Sequence, residues 1–213
     1  MATLYFLSGL GSDERIFKNL NLENCELKYL KWINPHPKES LSSYSKRLFE
    51  QIETNDEIVL VGLSFGGIVV QELAKLAQPK SVILLSSISN ENEKPLYLKL
   101  LYYTKIYRFL PYSLAKFLTP LFYRNMGAMT IEEKRLVKDF VQKTDISLLK
   151  WSVEQIVNWR ERDSFTNLYQ IHGNQDKVFP IRLMKPDYII NEGTHFMVYN
   201  KSDEISEIIN TIV

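Results

Sequence analysis

Apolar residues follow two alternating rhythms along this chain. Unbroken runs at Leu4 to Leu7, Ile58 to Val61 and Val82 to Leu85 read as strands covered on both faces. Between them the spacing changes. Leu41, Tyr44, Leu48 and Ile52 recur at three and four, which predicts an amphipathic helix over 40–52. Asp13 to Leu20 reads as a short helix, and Glu26 to Ile33 as a strand closed by Asn34-Pro35-His36-Pro37. A helix over Gly66 to Ala77 follows the Ile58 run, and Ser81 to Ser86 is the next strand. From about 90 to about 163 the strand rhythm stops. That stretch predicts several helices, punctuated at Pro95, Pro111, Pro120 and Gly127. Alternation resumes with strands at Leu168 to Ile171 and Tyr188 to Ile190, then a closing helix from about Phe196 to Ile212. Strand–helix alternation of this kind predicts parallel βαβ units and an α/β fold with a mostly parallel sheet flanked by helices. The chain 1–213 then forms a single domain carrying an all-helical insertion at about 90–163.

Composition agrees with a globular chain: 213 residues, 45% hydrophobic and 24% charged. A net charge of +1 gives no reason to expect a nucleic-acid partner. No run approaches a membrane span, and the first residues lack the features of a secretory signal, so the expected location is the cytoplasm. Cys25 is the single cysteine, which excludes an intrachain disulfide and reads as a buried small residue.

The candidate chemistry starts at Gly62-Leu63-Ser64-Phe65-Gly66, directly after an apolar strand and before a helix. That context fits the G-x-S-x-G nucleophile elbow, in which a tight turn lifts a serine hydroxyl beside a helix N-terminus. The same residue could instead be an ordinary helix cap. A nucleophilic serine needs a histidine base and an orienting acid. His195 in Gly193-Thr194-His195-Phe196 and Asp176 in Gly173-Asn174-Gln175-Asp176 follow the last two strands. All three therefore fall at the C-terminal edge of the sheet, where open α/β sheets hold their sites. Asp163 and Asp187 compete as the acid, Asp187 from the opposite sheet edge. His172 reads as a neighbour of the acid rather than a base, and His36 as solvated. No phosphate loop, dinucleotide fingerprint or zinc motif is present, so neither a cofactor nor a metal is expected.

These motifs, in the order Ser, Asp, His, resemble the α/β-hydrolase family over essentially the whole chain. The resemblance implies a small-molecule acyl substrate, and it places the helical insertion where the family carries a cap. It also implies oxyanion donors at the backbone N–H groups of Leu10 and Phe65. Two departures stand out. The sheet starts at the family's third strand, leaving about six, and Ser8-Gly9-Leu10-Gly11 replaces the usual His-Gly. The implied activity is ester, thioester or related acyl cleavage. An acyltransferase, a peptidase, or a fold-related binder of small molecules without turnover remain alternatives.

The insertion from Lys94 to Arg124 is rich in aromatic residues (Tyr97, Tyr102, Tyr103, Tyr107, Phe109, Tyr112, Phe117, Phe122, Tyr123) and in cations (Lys99, Lys105, Arg108, Lys116). Three readings follow: lid packing, an apolar acyl pocket whose cations meet an anionic substrate end, or transient membrane contact. The oligomeric state is not legible.

Overall fold

The computed structural model describes residues 1–53, 57–109, 111, 119–161 and 165–213, with backbone alone for 119–122. Six strands, β1 (Ala2–Leu7), β2 (Cys25–Leu30), β3 (Ile58–Leu63), β4 (Ser81–Leu85), β5 (Leu168–Gly173) and β6 (Tyr188–Ile190), form one sheet. Their order is β2-β1-β3-β4-β5-β6, and every neighbouring pair is parallel.

The apolar runs explain the layering. In β3 and β4 every residue is buried, so alternate side chains feed two cores. Leu60, Val82 and Leu84 pack under α1 (Leu41–Phe49) and α2 (Phe65–Ala77), while Val59, Val61, Ile83 and Leu85 join Phe17, Phe196 and Ile209 on the other face. The predicted helix over 40–52 forms as α1, capped by the Ser40 side chain on the Ser43 N–H.

Among the described residues, four α-helices lie between β4 and β5: α3 (Leu96–Thr104), α4 (Thr119–Met126), α5 (Ile131–Lys143) and α6 (Ile146–Asn158). Each boundary has a local cause. Thr130 and Glu133 form a reciprocal capping box at α5, and Asp145 caps α6. Trp151 of α6 stacks near Tyr44 of α1, 4.3 Å between rings, and donates its indole N–H to Glu39 O at 2.8 Å. This ties the inserted helices to the core.

Four details differ from the sequence reading. The stretch after Asp13 is a single 3-10 turn, Glu14–Phe17, with Asp13 accepting from the Arg15 N–H. The second strand stops at Leu30 rather than Ile33, because Trp32 turns to stack on Phe65 at 5.5 Å. The closing helix is broken at Lys201 into α7 (Met197–Asn200) and α8 (Ser202–Ile212). Cys25 is only half-buried, since β2 is an edge strand; partial burial still pushes its thiol pKa up, away from reactivity.

The β1 exit is pressed against the start of α2. A Cβ at Gly66 would lie 2.4 Å from the carbonyl oxygens of Leu7 and Ser8, so only glycine fits. Gly66→Ala is expected to lower the unfolding free energy by about 2–3 kcal/mol through overpacking. Urea denaturation measures this, and an unchanged midpoint would contradict the contact.

Candidate active site

Ser64 sits between β3 and α2 with φ 54° and ψ −120°, a region L-residues rarely occupy. The turn is held from both sides. The Ser64 N–H donates to Leu85 O at 2.9 Å, its carbonyl accepts from the Gly67 N–H at 3.0 Å, and Ser87 Oγ donates to the same carbonyl at 2.6 Å. The Ser64 side chain makes no capping bond to α2, so the helix-cap reading fails. Its Oγ lies 2.9 Å from His195 Nε2 instead.

The loops carrying Asp176 and His195 touch through two glycines. A Cβ at Gly173 would fall 2.1 Å from Gly193 O, so the loops after β5 and β6 close together only with glycine there. Gln175 N donates to Gly193 O at 2.8 Å, and Asn174 bridges to Asn191 and Glu192. The His195 loop is also fixed from above, because the Phe196 N–H donates to Met126 O at the end of α4.

His195 Nδ1 is 2.8 Å from Asp176 Oδ2. A carboxylate accepts, so Nδ1 carries the proton and Nε2 is free to accept from Ser64. Asp176 Oδ1 accepts from the Val178 and Phe179 N–H groups at 2.7 and 2.9 Å. Burial raises the proton affinity of this carboxyl. The charge of His195 and the hydrogen bonds from His172 and His195 more than offset it, holding Asp176 well below the usual carboxylate range.

His172 is fully buried beside this acid. Its Nε2 is 2.8 Å from Phe179 O, to which Nε2–H donates, and 3.3 Å from Asp176 Oδ2. Its Nδ1 is buried with no hydrogen-bond partner among the described residues. His172 therefore braces the acid loop through Phe179 and does not reach Ser64 in place of His195.

Ser8, the residue that departs from the usual histidine, is buried. It donates from Oγ to Ser12 O at 2.6 Å and accepts from Trp32 Nε1 at 3.1 Å. The loop keeps its shape through these two bonds. Leu10 and Phe65 line the same cavity as Ser64 and His195. Phe65 is the first residue of α2, where a backbone N–H has no intrahelical acceptor.

That cavity holds about 210 Å³ and opens on Ser64. Tyr97 from α3 reaches its rim and donates its hydroxyl to Val178 O at 3.1 Å. The other described aromatics between Lys94 and Arg124 are not among its lining residues. Tyr102 and Tyr103 line a second cavity with Lys94, Lys99 and Arg160, Tyr107 is buried against Asn158, and Phe109 is 84% exposed. The reading that joins acyl pocket and cations in one site is thus not what these residues form.

His36 is exposed, as expected. Asp187 accepts from the Gln170 N–H at the far sheet edge and cannot reach His195. Asp163, Tyr112, Lys116, Phe117 and the Phe122 side chain lie outside the described residues. Ser87 and Trp32 are positioning groups that sequence reasoning passed over. The only signal for Ser87 was a serine pair at the exit of the strand beside the elbow.

Similarity to solved structures extends over the whole chain. A hydrolase from Oleispira antarctica shares 14% identity and a TM-score of 0.74, covering 100% of this chain and 91% of that one. A bromoperoxidase from Bacillus anthracis gives 15% and 0.71, covering 99% and 91%. The RedJ thioesterase of the prodiginine biosynthetic pathway in Streptomyces coelicolor gives 12% and 0.69, covering 100% and 90%. No family model matches the chain, and no curated protein matches it in sequence. The chain has the α/β-hydrolase fold, with six parallel strands. Among the described residues, no helix is long and apolar enough to cross a membrane.

Proposed function

We propose that this protein is a serine hydrolase that cleaves an ester or thioester bond. One observation carries the reading: an unbroken hydrogen-bond chain from Ser64 through His195 to Asp176, at the mouth of an apolar cavity. Ser64 attacks the acyl carbonyl while His195 Nε2 takes the hydroxyl proton. Asp176 stabilises the imidazolium so formed. The tetrahedral oxyanion is held by the N–H groups of Leu10 and Phe65. His195 then returns the proton to the leaving oxygen or sulfur, and water repeats the sequence to free the acid. The helices α3 to α6 act as a cap within a single domain, and Tyr97 joins that cap to the acid loop.

Esterases and thioesterases among the structural neighbours support both leaving groups. The strained Ser64 backbone favours turnover over simple binding, since a binding pocket has no use for that cost. The test is release of p-nitrophenol from a six-carbon ester, and of thiol from the matching thioester. Release of either by the folded wild type is expected; release of neither would contradict the proposal.

A further inference from the structure

Resting on that hydrolase reading, we infer that the acyl group presented to Ser64 is uncharged and apolar, about six to eight carbon atoms long, with Leu98 as an end wall. The cavity beside Ser64 is walled by Ile16, Leu98, Met126, Phe140, Ile156 and Phe196. Among its described lining residues, His195 is the only group that takes up positive charge. An ionised carboxylate placed there would lose its hydration without gaining a cation.

Volume sets the length. An apolar cavity of about 150 Å³ accepts benzene, six carbons. The cavity here, about 210 Å³, accepts roughly eight heavy atoms on the same scale. A twelve-carbon chain does not fit with the cap as it stands.

Three cations on or flanking α3 and α6 are on the other side of Leu98. Lys94, Lys99 and Arg160, together with Glu91, line a separate cavity of about 360 Å³, and Leu98, 6% exposed, is a wall of both. The Lys94 ammonium donates to Val157 O and Trp159 O, which leaves Lys99 as the cation that this cavity offers. Arg160 there is already engaged, 3.2 Å from Glu91 and 4.2 Å from the Tyr102 ring. Leu98 thus separates an apolar chamber that meets the nucleophile from a cationic one that does not. Removing its side chain joins them.

The experiment measures kcat/KM for p-nitrophenyl esters from two to sixteen carbons, and for an eight-carbon ester ending in a carboxylate. The expected profile rises about fourfold per methylene, peaks at six to eight carbons and falls at least tenfold by twelve. The carboxylate-ended ester is expected to be at least a hundredfold poorer than its methyl-ended counterpart. Leu98→Ala should move the peak at least two carbons longer and recover part of the carboxylate-ended activity. Ile156→Phe, which fills the cavity, should move the peak shorter and serves if Leu98→Ala does not fold. A flat profile, a peak at two carbons or beyond ten, or equal use of the charged ester would overturn the inference while leaving the hydrolase reading intact. Failure of every ester, with no phosphonylation of Ser64 by a small fluorophosphonate, would overturn the hydrolase reading and the inference together.

Discussion

Replacing Ser64 by alanine is expected to lower ester turnover by about five to six powers of ten, the scale seen when a triad nucleophile is removed. Three described serines near it are already committed, Ser12 Oγ to Gly9 O among them. Ser87 Oγ is committed to the Ser64 carbonyl, and Ser8 Oγ to Ser12 O and Trp32. The elbow makes a second expectation possible from the same position. Ser64 has φ 54° and ψ −120°, which glycine adopts freely. Ser64→Gly should therefore be as inactive as Ser64→Ala yet more stable than wild type, by about 1 kcal/mol. Thermal unfolding of the two variants beside wild type measures this. A less stable Ser64→Gly would mean that the turn is not strained.

Asp176→Asn is expected to cost about four powers of ten in kcat, comparable to the matching change in the serine-protease triad. The reason lies in what surrounds the carboxylate. Oδ1 accepts from two backbone N–H groups, so the amide oxygen of asparagine must take that place. The amide nitrogen then faces His195 Nδ1 as a donor. This forces the His195 proton onto Nε2, where it can no longer accept from Ser64. The same substitution has a signature in stability. Because the folded state depresses the proton affinity of Asp176, its contribution to stability is fully present above the ordinary carboxylate range and is lost as pH falls below about 4. Wild type should therefore lose stability on acidification more steeply than Asp176→Asn. Unfolding curves between pH 2.5 and 7 check this; parallel acid profiles would place the negative charge elsewhere.

Much of the fold could be read from two rhythms because burial on both faces leaves a signature in every residue of β3 and β4. The candidate residues could be named for the same reason, since glycine motifs at strand exits put Ser64, Asp176 and His195 at one sheet edge, where the structure brings them within hydrogen-bond distance. Edge and surface relations were harder. Cys25 reads like any small apolar residue until β2 is known to be an edge strand. The α7–α8 break at Lys201 falls in the polar run Asn200 to Glu204, where no glycine or proline marks it. The aromatic insertion could not be resolved in advance for a different reason. Which of Tyr97, Tyr102 and Tyr103 faces Ser64 depends on how α3 rotates against α6, and all three sit on one helix with the same composition around them. Only tertiary packing decides that Tyr97 meets Val178 while the other two turn to Arg160 and Lys99.

The central claim is that Ser64 is an activated nucleophile, and covalent capture tests it most directly. Folded wild type treated with a small fluorophosphonate should gain one adduct by intact mass, and peptide mapping should place it on Ser64. His195→Ala should label far more slowly. Wild-type protein that stays folded and unlabelled, or that carries the adduct on another residue, would contradict the account.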